Sequence, residues 1–394
     1  MILVSLFAVS MVIPISCIAE RSASALISAK LLERAETTAS VSFRYHIENT
    51  GVEPYPIIEG EVNFLLPDHY LNIYRTTLEP GQPPIPGIML QKGREFTTVE
   101  LVFGSYVESA VIKRYCNLPP MRGEGFYLAG SLFFGNGSFA HGLNSFLKKG
   151  KGKITGRQVV QDKACINVEL SSDQPGGAQA QISLDEQSAF PRQITEKSFE
   201  KGLVTTITSL TVNPDLKVED FDVDIPSTLG IEPSLCQETC VDYGCVEVKL
   251  DEVKSLAGFE AVCPRIKGYK LYGVYWTDPK AYGPGADDPA YHAFYKECYL
   301  VLRNDKGNRQ IEVCEAKEYQ GYDEKAGSVG LTIEGDICVS PCLNEEISVG
   351  GKTVFMTTHV HSIKAAARKG GLKIKVSGDI DRQGMLDLMS DILR

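Results

Sequence analysis

The chain has 394 residues, 43% of them hydrophobic, enough for one large core or two ordinary ones, and two domains is the better prior. Its formal net charge of −10 leaves no basic excess to neutralise phosphates. That argues against a nucleic-acid binder and against simple electrostatic adsorption to anionic lipid.

The first nineteen residues, MILVSLFAVSMVIPISCIA, carry no charge, and their apolar run ends in small residues before Glu20 and Arg21. The pattern predicts a secretory segment cleaved after Ala19. Lipidation at Cys17, an uncleaved anchor and a buried N-terminal helix are the alternatives, because no Lys or Arg precedes the run and Pro14 interrupts it. Of the eleven cysteines, ten remain when Cys17 is set aside. With an export segment, that even number predicts a periplasmic or otherwise extracytoplasmic, oxidising location and disulfides. No later stretch approaches the roughly twenty apolar residues that a bilayer-spanning helix needs.

Residues 25–36, ALISAKLLERAE, place Ile27, Leu31 and Ala35 at helical spacing. A strand follows, with Val41, Phe43, Tyr45 and Ile47 alternating with polar residues. GEVNFLLPDHYLNIYR, residues 60–75, reads as a hairpin turning tightly at Pro67-Asp68. Phe43, Tyr45, Val62, Phe64, Leu66, Leu71 and Ile73 are thereby expected on one apolar face. Further strands flank Lys92-Gly93-Arg94, and Phe96 to Val102 is rich in residues that favour strands.

Residues 115–145 combine Pro119-Pro120 and many glycines with Phe126, Tyr127, Phe133, Phe134 and Phe139. The expectation is a lid folded over a cavity, with Phe133 and Phe134 lining it; a loop packed on its own core is the alternative. Alternation resumes from 153 to 212, and ISLDEQSAFPRQI reads as strand, turn, strand. From Ser40 to Val212 about ten strands with short connections predict one strongly curved antiparallel sheet.

Pro226 to Gly244 reads as a linker carrying Cys236 and Cys240, with Cys245 just beyond. A second unit opens with a helix at Asp251 to Ala257. Strands are expected near Lys270–Trp276, Ala290–Arg303, Gln310–Lys317 and Gly330–Ile337. A hairpin turns at Gly350-Gly351, and Leu372–Ser377 is the last strand. Asp381 then caps a helix with Met385, Leu388, Met389 and Ile392 on one face. The fold class is mainly β with α+β: a curved antiparallel half-barrel with covering helices, then a smaller α+β domain. The divisions are 1–19 export segment or anchor, 20–226 half-barrel, 227–245 linker and 246–394 C-terminal domain.

Cys298 and Cys314 flank the turn sequence NDKGN, and pairing Arg303 with Arg309 sets them opposite each other as a disulfide. Cys236, Cys240, Cys245 and Cys263 are expected in disulfides rather than around a metal, because C-x3-C-x4-C is not a usual zinc spacing. Cys338 and Cys342 pair with each other or elsewhere. His359 and His361 share a strand face, where a solvated surface is favoured over metal ligation. No motif supplies a nucleophile with its base, or a phosphate-binding loop, so neither catalysis nor a cofactor is expected.

SVSFRYHIE, EGEVNFLLPDHYLNIY, QKGREFTTVE and FPRQITEK, ahead of DFDVDIP, resemble the LolA-like periplasmic lipoprotein carriers, and the N-terminal domain of sigma-factor regulators of the MucB/RseB type, over roughly residues 25 to 226. Residues 246–394 are similar to the domain that follows LolA-like domains in some sporulation and envelope proteins. The resemblance implies a half-barrel of about eleven strands whose concave face holds a lipid, a lipidated segment or an apolar peptide. It also implies a rival role, a sensor whose C-terminal domain contacts a membrane-anchored envelope protein such as an anti-sigma factor. An enzyme acting on envelope material is a further alternative. The carriers' arginine before the hairpin proline is replaced here by Leu66.

Overall fold

The computed structural model describes residues 15–50, 56–103, 107–119, 137–173, 179–198, 201–277, 297–317, 342–359 and 362–394. The chain opens with α1 (Ile15–Thr37), longer at its start than the expected 25–36. No described helix is long and apolar enough to cross a membrane. Strands β1 (Ser40–Asn49), β2 (Ile57–Leu65), β3 (His69–Thr77), β4 (Ile85–Lys92), β5 (Glu95–Phe103) and β6 (Val107–Cys116) follow as antiparallel neighbours. After α2 (Gly137–Lys148) come β7 (Gly152–Val160), β8 (Lys163–Ser171), β9 (Gln179–Asp185), β10 (Pro191–Ser198) and β11 (Lys201–Val212). β11 closes back on β1, so the strands from β7 to β11 and from β1 to β6 form one open, curved sheet.

The segment expected as a linker is more ordered than its composition suggested. It contains the short α3 (Ile225–Leu229) and β12 (Cys236–Asp242), which adds in parallel to the free edge of β6 as the twelfth strand. Phe221 and Ile225 are buried with Leu71, Ile88, Leu90 and Ile112 on the outer face.

A second sheet of eight strands holds β13 (Cys245–Val248), β14 (Tyr269–Thr277), β15 (Glu297–Asn304), β16 (Gln310–Lys317), β17 (Cys342–Val349), β18 (Lys352–His359), β19 (Ile363–Lys369) and β20 (Leu372–Gly378). Its core is covered by α4 (Val253–Ala257) and α5 (Arg382–Leu393), and α5 buries Met385, Leu388, Met389 and Ile392 as its periodicity requires. Asp381 caps α5, accepting the Gly384 N–H at 2.7 Å. Asp381→Ala should cost about 1 kcal/mol, read as a shift in a urea melt; no change would mean that water replaces the cap.

Two registers differ from expectation. Arg303 pairs with Gln310, not Arg309, so Tyr299 lies opposite Cys314 and Cys298 opposite Glu315. Cys298 enters the helix-covered core and Cys314 points to the other face, so the two cannot bond. Within the turn, Asn304 Oδ1 accepts the Arg309 N–H at 3.1 Å and its Nδ2 donates to Asn308 at 3.0 Å. These bonds keep Arg309 in the loop and lengthen the connection by one residue.

The second difference is in the hairpin of residues 60–75. Leu65 pairs with His69, leaving a three-residue loop of Leu66, Pro67 and Asp68, with a cis Leu66–Pro67 peptide. Val62 therefore faces Asn72, and Phe64 faces Tyr70. Leu71 and Ile73 fall on the opposite face from Val62 and Phe64, because a slip of one residue inverts every side chain of a strand.

Polar contacts join the two sheets. Arg303 Nη2 donates to Asp68 at 2.5 Å, and Arg309 Nη2 to the Thr38 carbonyl at 2.5 Å. Asp173 accepts from the Asn344 N–H at 2.7 Å, and Leu343 is buried in the core of the first sheet.

Candidate functional site

The inner face of the first sheet is the face on which α1 and α2 lie. Phe43, Tyr45, Val62, Phe64 and Leu66 all point to it, each at most 8% exposed. They meet Ile27 and Leu31 of α1 and Phe139, Ala140, Leu143 and Phe146 of α2 in one core. Part of the segment expected to form a loop-like lid is thus a helix, with Phe139, Leu143 and Phe146 at i, i+4 and i+7. Phe133 and Phe134 lie outside the described residues. Leu71 and Ile73 belong to the outer cluster with Phe221, so they do not line this face.

Arg34, which the sequence reading passed over, fastens α1 to this core. Its guanidinium stacks 4.3 Å from the Phe190 ring centroid and 5.0 Å from that of Phe139, and Nη1 donates to the Ala189 carbonyl at 2.7 Å. No periodic pattern marks Arg34, since it sits among the charged residues of α1.

The inner face continues past the helices. In register order it carries Tyr74 opposite Gly87, Asn72 opposite Met89, Met89 opposite Thr98, Thr98 opposite Lys113, Glu100 opposite Val111 and Phe96 opposite Tyr115. Tyr74, Met89, Val111 and Tyr115 are half-buried, and Tyr74 and Met89 pack against the rim of the helix-covered core. The Tyr74 ring lies across Gly87, where a Cβ would come within 2.4 Å of it and push the ring aside. Together these residues make an apolar and aromatic shelf, with the exposed Glu100–Lys113 ion pair among them.

Beneath the shelf is a buried polar group. The Tyr45 hydroxyl donates to Asn72 Oδ1 at 3.1 Å. Burial raises the pKa of Tyr45, Tyr70 and Tyr74, so all three are neutral phenols at neutral pH. A separate cleft of about 280 Å³ lies between the first helices and the second sheet, lined by Glu36, His141, Lys267, Arg309 and Asp379 among others. Its charged lining does not suit an acyl chain.

Among the described residues no group of three or more His, Cys, Asp or Glu side chains could hold a metal ion. His359 is buried rather than on a solvated face, and His361 lies outside the described residues. In the structure Cys236, Cys240, Cys245, Cys263, Cys298 and Cys314 are not bonded to another cysteine, against the expected disulfides, nor are Cys116 and Cys165; Cys342 is disulfide-bonded, and Cys338 lies outside the described residues.

No family model matches the chain, and no curated protein matches it. Among solved structures, the complex of Pseudomonas aeruginosa MucA/MucB is similar over 93% of this chain and 96% of that one, at 10% identity and a TM-score of 0.31. The Mycobacterium tuberculosis lipoprotein LppX is similar over 50% of this chain and 99% of its own, at 12% identity and a TM-score of 0.29. A LolA superfamily protein from Nitrosomonas europaea is similar over 50% and 98%, at 13% identity and a TM-score of 0.25. These likenesses are distant.

Proposed function

We propose that the chain is a non-catalytic, extracytoplasmic binding protein that holds acyl chains, or another extended apolar ligand, on the inner face of β3 to β6. The observation that carries this is the row of half-buried Tyr74, Met89, Val111 and Tyr115, continuous with the buried core and on the same face. The uncharged N-terminal stretch supports the location. Burying a methylene contributes about 0.8 kcal/mol, so a dozen contribute roughly 10 kcal/mol before the cost of association is subtracted. No charge is needed for that affinity, in keeping with the acidic chain. A lipidated segment and a free fatty acid share this chemistry.

Met89→Glu should weaken displacement of a fluorescent fatty acid at least roughly tenfold, about 1.4 kcal/mol, while the thermal midpoint stays near that of the wild type. At a half-buried position the new carboxylate keeps its water. Leu71→Glu, on the buried outer face, should instead unfold the protein. Wild-type affinity in a folded Met89→Glu protein would refute the assignment of this shelf.

A further inference from the structure

We infer that Cys116 and Cys240 form a disulfide that staples β12 to β6 and fixes the crossover between the two sheets. In the parallel pair, Cys240 lies beside Arg114, and Cys116 lies beside Asp242. Both side chains therefore stand on the same face as Ala110 and Ile112, as diagonal neighbours, with Sγ to Sγ 3.3 Å. Cys236, at the start of β12, packs against the Phe221 cluster and is not the neighbour of Cys116. Cys245, Cys298 and Cys314 are buried elsewhere.

The surroundings hold the pair in place. Asn117 Nδ2 donates to Asp242 at 3.0 Å, the Tyr243 N–H donates to the Cys116 carbonyl at 3.0 Å, and the Tyr115 and Tyr243 rings are 5.9 Å apart. Arg94 Nε donates to the Leu118 carbonyl at 2.9 Å, and its Nη2 donates to the Cys245 carbonyl at the start of the second sheet. Every residue of β12 after Cys236 is exposed, so little apolar burial retains this strand. A covalent bond supplies what burial does not. Cys342 is disulfide-bonded in the same structure.

The oxidant is a small-molecule disulfide. The exposed Cys240 loses its proton to solvent and attacks one sulfur, forming a mixed disulfide and expelling one thiolate. Cys116 then loses its proton and attacks Cys240 Sγ, expelling the second. Two protein thiols are oxidised, one external disulfide is reduced, and each expelled thiolate takes up one proton. The order follows from the environment: the hydrogen bond to Cys240, with burial, pushes the Cys116 thiol up to about 11, so Cys116 is the poorer first nucleophile.

The test uses the full chain, reduced and then equilibrated with oxidised glutathione. Free thiols are alkylated in denaturant without reductant, and the digest is mapped by mass spectrometry. Cys116 should be recovered linked to Cys240. Cys240→Ser should leave Cys116 alkylated, whereas Cys236→Ser should leave the link intact; Cys116→Ser repeats the test from β6 should one variant fail to fold. Limited proteolysis between residues 233 and 244 should be at least roughly tenfold slower in the oxidised wild type than in the reduced one, and insensitive to reductant in Cys240→Ser. Cys116 and Cys240 both alkylated, or glutathione retained on Cys240, or Cys116 linked to a different cysteine, would overturn the inference.

Discussion

Phe64→Ala should lower stability by about 3–5 kcal/mol, and Phe64→Glu should prevent folding. Phe64 is 2% exposed and meets Tyr70 edge-on, with ring centroids 5.9 Å apart. It shares a core with Phe43, Tyr45, Leu31, Phe139 and Leu143, so truncation removes contacts to both helices and both neighbouring strands. Removing the ring loses its transfer free energy and leaves a hole that the flanking β-sheet cannot close by collapsing. An empty ligand cavity at this point would already lack those contacts, and the same substitution would then cost much less. Urea melts followed by circular dichroism measure the difference; a loss below about 1 kcal/mol would show that the helices do not fill this part of the face.

That contrast separates the parts of the inner face. Expecting Phe43, Tyr45, Val62 and Phe64 on one face was correct, because strict alternation fixes the side of each residue within its own strand, and Leu66 joins the same core from the loop. Carrying the face across the hairpin to Leu71 and Ile73 failed, because parity across a turn depends on loop length, and Pro67-Asp68 does not reveal that Leu66 is also in the loop. The Arg303 turn failed in the same way, through side-chain bonds of Asn304 that composition does not show. The shelf of Tyr74, Met89, Val111 and Tyr115 was not legible for the same reason, since it is defined by register over four strands.

Two elements were hidden by composition rather than register. α2 contains Gly137 and Gly142, which lower helix propensity, yet Phe139, Leu143 and Phe146 give it a face that the sheet buries. β19, IKAAARK, has a helix-forming sequence but lies between β18 and β20, where Ala365 and Ala367 face Met385 and its neighbours in a core shared with α5. In both cases tertiary burial outweighs local preference. α5 itself was fully legible, because cap, period and burial agree.

Glu315→Gln should stabilise the protein at pH 8.5 by about 3 kcal/mol and leave it nearly unchanged at pH 4. Glu315 is on the core-facing side of β16 with Ile311 and Val313, and has no exposed surface. Both of its oxygens lie 3.2 Å from the Val262 N–H, which donates to them, and no arginine or lysine ion pair to it is seen among the described residues. Burial pushes its acid from 4.5 up to about 7, although the Val262 N–H and the charge of Lys369 act the other way. A carboxyl that binds its proton more tightly when folded costs nothing below the unfolded value of 4.5. Stability is then lost as pH rises from there, and the loss levels off above the folded value of about 7. The neutral amide keeps an acceptor for Val262 and has no charge to desolvate, so its stability should not follow this decline. Urea melts of both proteins at the two pH values give the answer. Parallel pH profiles would show that Glu315 carries its charge without cost.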